Sequence, residues 1–178
     1  IRAALRTNVI DGSIVPISMG SNTLCQGTYT LLDDIVKYLP SPENKELAGI
    51  NMKTNEICQA NYDFSKAKSA YVFKTIVDPF IGKYSLIKVC SGVFKPDDMI
   101  YNKDKDIEEK VSKLYVLQGS KPIEVPELHA GDIGAIAKLT AARTGNTLST
   151  KANIIEYGKF EISNPYTALR YKVPNKGD

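Results

Sequence analysis

The sequence predicts a mainly β protein preceded by a short α/β segment, and three observations carry that expectation. From Ala70 onward, short apolar runs alternate with turn residues, the pattern of an all-β sandwich or barrel. In the alanine-rich stretch 127–148, Ile133, Ala135, Ala137 and Leu139 recur at a spacing of two, opposite Gly134, Ile136 and Lys138. Before residue 43 the period is different: Leu31, Leu32, Ile35, Val36 and Leu39 form a stripe at helical spacing.

Taken in order, residues 1–7 read as the end of a helix and 13–18 as a short strand closed by Gly20, Ser21 and Asn22. The stretch GTYTLLDDIVKYL is a second helix, stopped by Pro40 and Pro42. Helix, strand and helix supply too little strand for a sheet, so residues 1–42 read as the end of an α/β domain. Residues 43–66 are polar and without a period, and read as a linker. Residues 67–162 supply the strands AYVFKTIV, YSLIKVCSG, MIYN, KVSKLYVLQG, the one following Ala130-Gly131-Asp132, and KFEI. DPFIGK reads as a turn and NKDKDIEEK as a charged hairpin tip. In the alanine-rich stretch propensity is divided, because Gly131 and Gly134 would each cost about 1 kcal/mol inside a helix, and the period decides for a strand. Residues 166–174 alternate again, so 163–178 read as the first strand of a further domain.

With 178 residues, 43% hydrophobic and 24% charged, the composition is that of an ordinary globular chain. A net charge of +3 is too small to announce nucleic-acid binding by itself, so any such contact must come from a local patch. Cys25, Cys58 and Cys90 are odd in number and lack metal-ligand spacing, which points to a reducing, cytosolic setting. No apolar run approaches the ~20 residues of a membrane span, and the first residues resemble neither a signal peptide nor an initiator start, so the chain begins like an internal fragment.

The chemistry-bearing residues are sparse. His129 is the one histidine and has no nucleophile beside it in sequence, and Cys58 and Cys90 read as core filler. Asp97-Asp98 and Glu108-Glu109 are adjacent carboxylates in expected loops rather than an acid–base pair. Asn102 to Lys105 nearly reproduces the Asn-Lys-x-Asp guanine signature, but Lys105 occupies the position that needs a carboxylate. A Gly-x-x-x-x-Gly-Lys-Ser/Thr phosphate loop is absent from the sequence, so no nucleotide hydrolysis is expected of this chain alone. Gly20-Ser21-Asn22 is a small-residue turn whose backbone N–H groups can meet a base edge.

Three blocks carry a resemblance: VPISMGSNTLCQGTYTLLDDIVKYLPSP, VFKTIVDPFIGKYSLIKVCSGVFKPDDMIYN, and VSKLYVLQGSKPIEVPELHAGDIGAIAKLTAARTGNTL. In this order they resemble the bacterial translation elongation factor G family of translational GTPases. The resemblance implies a translation-factor domain II β-barrel over 67–162, preceded by the C-terminal part of a GTP-binding domain at 1–42, a linker at 43–66, and the first strand of domain III at 163–178. It implies that Gly20, Ser21 and Asn22 form the parent protein's guanine-facing turn, with Asn22 standing where the family has alanine.

As cofactors the resemblance implies GTP and Mg²⁺ for the full-length parent and none for the fragment. It implies a cytoplasmic protein with the ribosome as partner, through small-subunit ribosomal RNA, besides its own G domain and domain III, and no membrane. The turn Phe80-Ile81-Gly82-Lys83 matches the family's RNA-facing turn, so Lys83 is the first contact candidate, followed by Lys88 and Lys113. The implied activity is ribosomal translocation driven by GTP hydrolysis in the full protein, with the fragment a docking module that has no catalytic group of its own. A ribosomal-protection or ribosome-recycling paralogue, a purely intramolecular interaction barrel, and a cysteine-dependent enzyme are the competing readings.

Overall fold

The computed structural model describes residues 2–44, 47–60, 62–78, 82–158 and 163–172. Helix α1 (Arg2–Ile10) and helix α2 (Thr28–Tyr38) come first, followed by a single 3-10 turn at Pro42–Asn44. They lie against each other, and the Arg6 guanidinium donates to the Lys37 carbonyl at 2.9 Å, placing a cation at the C-terminal end of α2. The apolar stripe of α2 is uncovered: Leu31, Leu32, Ile35, Val36 and Leu39 are all exposed, and the helix buries no residue. The strand expected at 13–18 does not form, and Val15 and Ile17 are exposed. Among the described residues its backbone has no neighbouring strand to pair with, and an unpaired strand is not a stable structure.

The remaining elements are strands. In chain order they are β1 (Leu47–Asn51), β2 (Ile57–Ala60), β3 (Ser69–Asp78), β4 (Gly82–Ser91), β5 (Val93–Phe94), β6 (Met99–Asn102), β7 (Ile107–Lys110), β8 (Leu114–Gln118), β9 (Lys121–Val125), β10 (Leu128–His129), β11 (Ile133–Ala137), β12 (Thr147–Ser149) and β13 (Ile155–Tyr157). Eight of them form one antiparallel sheet in the order β7-β6-β12-β3-β4-β11-β8-β9. The longest pair is β3 with β4, from Ser69 opposite Ser91 to Asp78 opposite Gly82. Residues 79–81 of the expected turn and 159–162 of the expected KFEI strand lie outside the described residues.

This sheet is rolled rather than flat. Strands β7 and β8 are six neighbours apart in the sheet, about 29 Å in a flat one at ~4.8 Å per strand. The chain from Lys110 to Leu114 can reach only about 14 Å when fully extended. The sheet must therefore curl until its two ends approach each other. A bulge on β3, where Phe73 is passed over between Val72 and Lys74, bends the strand in the middle of the sheet. Inside the roll lies one core, with Val72, Ile87, Val89, Ile100, Leu114, Ile136 and Leu148 from six strands and Phe94 and Leu128 from the β5–β10 pair across it.

The alanine-rich stretch is a strand, as its period predicts, but both faces are buried. Ile136 points into the central core, while Ala135 and Ala137 pack on the other face with Tyr84, Leu86 and Tyr115. Lys138 has a left-handed backbone, φ 63°, which breaks the alternation and turns Leu139 into the central core. A side chain at Gly134 would meet the Leu128 methyl carbon at 2.3 Å, so the close approach of β10 needs glycine there.

The linker expected at 43–66 is corrected by the structure. Residues 47–60 form the β1–β2 hairpin, and β13 joins β1 on its other side as a second, three-stranded sheet. That sheet covers the outer face of β3 and β4, where Ala60, Ile155 and Tyr157 pack on Tyr71 and Cys90. A buried polar chain fastens the layers: the Ser69 hydroxyl lies 2.6 Å from that of Ser91 and 2.7 Å from that of Tyr157. Burial pushes the Cys90 thiol up to about 11, so it stays protonated and serves as packing. The strand expected within 163–178 is also corrected for 163–172, which carry no regular structure and expose Tyr166, Leu169 and Tyr171.

Candidate nucleic-acid interface

Two separate places hold the residues singled out by sequence. The first is the turn before α2. Ser21 and Gln26 pair as an isolated bridge, each N–H donating to the other's carbonyl at 3.0 Å. A side chain at Gly20 would come within 2.8 Å of the Gln26 carbonyl oxygen, so the turn closes only with glycine there. Ser21 Oγ lies 3.1 Å from Thr23 Oγ1. The backbone N–H groups of Asn22 and Thr23 have no hydrogen-bond partner among the described residues. Gly20 and Asn22 line a small depression of about 170 Å³ together with Ser18, Gln26 and Thr28. These donors and this space suit a flat polar edge.

The second place is one end of the rolled sheet, where β4, β11 and β8 run side by side. The Lys138 N–H donates to the Lys83 carbonyl at 2.8 Å, and the Ala137 N–H to the Lys113 carbonyl at 3.2 Å. Lys83, Lys138 and Lys113 thus stand on three adjacent strand ends. Lys88 is five residues from Lys83 along β4, roughly 17 Å at strand rise. Its ammonium sits over the Tyr62 ring, 5.3 Å from the centroid, beside an apolar groove of about 460 Å³. The three lysines named from sequence therefore divide: Lys83 and Lys113 share one end, and Lys88 is apart.

Their electrostatics differ too. Lys113 pairs with Glu124 at 2.8 Å, and that hydrogen bond and ion pair raise its pKa. Lys83 has no ion pair of this kind among the described residues, and the Glu109 carboxylate nearby only partly favours its charged form. Its ammonium donates to the Ala142 carbonyl, and burial, followed by the repulsion of Arg143, lowers its pKa. The loop that supplies Ala142 is firmly held. Glu109 Oε1 accepts from the Thr140 N–H at 2.6 Å, the Thr140 hydroxyl at 2.8 Å and the Ala141 N–H at 3.1 Å. Burial alone would raise the Glu109 pKa, but these donors outweigh it and lower it. Asn146 Oδ1 accepts the Arg143 N–H at 2.9 Å, while its amide donates to Asp104 at 2.9 Å.

Sequence reasoning missed Lys138, Arg143 and Glu109. The signals were present but weak: a lysine ending an apolar strand, an arginine in a Thr-Gly-Asn turn, and one of two adjacent glutamates. His129 lies between Glu127 and Asp132, with its Nε2 3.1 Å from the Glu127 carboxylate, in a surface cluster without a nucleophile. No group of three or more metal-ligating side chains occurs among the described residues, and no described helix is long and apolar enough to cross a membrane.

Comparison with known proteins gives this surface its context. Residues 67–151 match the family model described as Elongation factor G domain 2. Over its whole length the chain is 34% identical to elongation factor G of Chlamydia trachomatis serovar D, and 34% identical to that of serovar A. The chain carries an elongation factor G domain 2 at residues 67–151. It spans about a quarter, 26%, of the length of these elongation factor G relatives. A crystal structure from Thermus thermophilus shares the fold with a TM-score of 0.62 at 26% identity, over 84% of this chain and 20% of that one. The elongation factor G domain 2 match covers β3 to β12, which is the rolled sheet and the loop that carries Arg143.

Proposed function

We propose that this chain is the ribosome-docking part of a translational GTPase whose full-length form binds GTP with Mg²⁺ and drives ribosomal translocation in the cytoplasm. Residues 1–42 are the end of its G domain, 67–162 its domain II and 163–178 the start of domain III. The hairpin found within 43–66 is packed on domain II rather than strung between domains. The single observation that carries the docking role is the row of Lys83, Lys138 and Lys113 on adjacent strand ends of a rigid sheet. Lysines on fixed, adjacent strand ends suit a phosphate backbone, which they hold without choosing a sequence. Lys88, turned over Tyr62, is the weaker contact of the proposed set.

The free N–H groups of Asn22 and Thr23 support the guanine-facing role of Gly20, Ser21 and Asn22, since backbone donors can take a base carbonyl whatever the side chain. The phosphate and magnesium contacts must then come from elsewhere in the parent protein, because this sequence has no phosphate loop. The uncovered apolar stripe of α2 is the face that the rest of the G domain would cover. When bound, the nucleotide supplies the switch, and domain II supplies the fixed body that the switch moves against.

The test uses the full-length protein. Lys83→Glu is expected to weaken ribosome binding and ribosome-stimulated GTP turnover while leaving nucleotide affinity in the absence of ribosomes unchanged. Wild-type turnover with a wild-type salt dependence would remove Lys83 from the RNA interface.

A further inference from the structure

On the outer face of the rolled sheet, apart from the end that carries Lys83 and Lys113, three residues stand in one cross-strand row: Tyr71 on β3 opposite Lys88 on β4, and Lys88 opposite Ile133 on β11. Phe73, which the β3 bulge leaves without a partner on β4, lines the same groove. Leu47 and Ala48 of β1 supply the facing wall, and the space between has a volume of about 460 Å³. Lys88 is the one charged side chain among the described residues that line it.

This cation is set in the groove without an anion. Lys88 is half-buried, its ammonium lies over the Tyr62 ring, and it has no ion pair or hydrogen bond to an oxygen among the described residues. Other lysines of the sheet differ: Lys110 has Asp97 at 2.8 Å, Lys113 has Glu124 at 2.8 Å and Lys95 has Glu127 at 3.0 Å. A half-buried ammonium among apolar side chains is completed by a single oxyanion carried on an apolar body, because the body covers the groove while the oxyanion takes the protons. The rings of Tyr71 and Phe73 suit a flat aromatic body. An apolar lining with one polar group, in a volume between about 300 and 1,000 Å³, is the usual make-up of a small-molecule site.

We infer that this groove is a binding site for a small aromatic carboxylate, with the ring against Tyr71, Phe73 and Ile133 and the carboxylate accepting from the Lys88 ammonium. The site does not depend on the RNA-docking reading, since it needs neither the strand ends of Lys83 and Lys113 nor a ribosome. A ligand there touches β1 of the three-stranded sheet and β3, β4 and β11 of the rolled sheet at once. Binding therefore holds the two layers together and stabilises the folded chain.

The probe is anilinonaphthalene sulfonate, a fluorescent aromatic anion whose sulfonate stands in for the carboxylate, titrated into the 178-residue chain with naphthoate as competitor. Saturable binding that naphthoate displaces is the expected result. Lys88→Met, which keeps an apolar stem, is expected to weaken binding of the anion about tenfold, the scale of one charge-assisted hydrogen bond, while the uncharged phenylnaphthylamine binds as it does to wild type. Ile133 is 61% exposed, so Ile133→Glu leaves the core intact; it sets a carboxylate beside Lys88 in the same row and is expected to abolish displacement by naphthoate. Leu32→Glu, on the uncovered stripe of α2, is expected to change none of this. Equal affinity of wild type and Lys88→Met for the anion would overturn the site, and so would loss of binding in Leu32→Glu. Binding by the chain that the full-length protein lacks would also overturn it, because the groove would then be covered by the parent's own domains.

Discussion

Gly92→Ala is expected to destabilise the chain by roughly 2–4 kcal/mol. Gly92 has φ 70°, in the left-handed region that costs other residues about 1–2 kcal/mol. A Cβ there would come within 2.7 Å of the Lys66 carbonyl oxygen and 2.9 Å of the Lys68 Cα, both backbone atoms that cannot rotate aside. Its N–H donates to the Asp63 carbonyl at 2.9 Å and its carbonyl accepts from Ala130 at 3.0 Å, so the glycine ties the segment before β3 to the end of β4 and to β10. Urea unfolding of the variant checks the magnitude, with the midpoint falling and the slope unchanged. A change below ~0.5 kcal/mol, the range of a neutral surface substitution, would mean that residues 62–68 are not held against the sheet.

The second large effect is at Glu109. Replacing it by alanine removes the acceptor of three hydrogen bonds and leaves two loop N–H groups to find other partners. The expected loss is about 1.5–3 kcal/mol, the range for hydrogen bonds to a charged group. The pH dependence follows from the lowered pKa of this carboxylate. A depressed folded-state pKa contributes stability that is present above the unfolded value, near 4.5, and is lost as pH falls through the folded one. Glu109→Ala should therefore flatten the acid limb of the stability curve below about pH 4.5. Glu109→Gln carries the same charge as the alanine variant but keeps an amide oxygen for the loop. It should bind RNA more tightly than Glu109→Ala, and equal affinities would show that the loop's position does not matter to binding.

The strands that were legible in the sequence are those buried by their pattern. β3, β4 and β11 alternate or run apolar because both of their faces meet side chains, and Gly82 and Gly92 mark the ends of β4. The β1–β2 hairpin was not legible, because it buries little that is large: Gly49 and Ala60 are its buried residues, and its larger apolar residues Ile50 and Ile57 are exposed. Gly49 leaves room for the Tyr157 ring, 2.9 Å from where a Cβ would stand, which is a contact no local pattern reveals. The segment 13–18 is the converse case, since its alternation promises a strand and no partner strand is present among the described residues. At the candidate interface Lys83 was found through a matched turn. Glu109 meets Thr140 and Ala141, in the loop that carries Arg143, only when β7 and that loop come together across the roll.

The central claim, that the β4–β11–β8 end of domain II faces ribosomal RNA, is tested most directly by tethered hydroxyl-radical probing on the ribosome. In the full-length protein, with Cys25 and Cys58 replaced by serine, an iron chelate is attached through Thr144→Cys, beside Arg143, or through Ser120→Cys, at the other end of β8. The account predicts strong cleavage of small-subunit ribosomal RNA from position 144 and little from position 120. Equal cleavage from both positions, or cleavage from 120 alone, would contradict it.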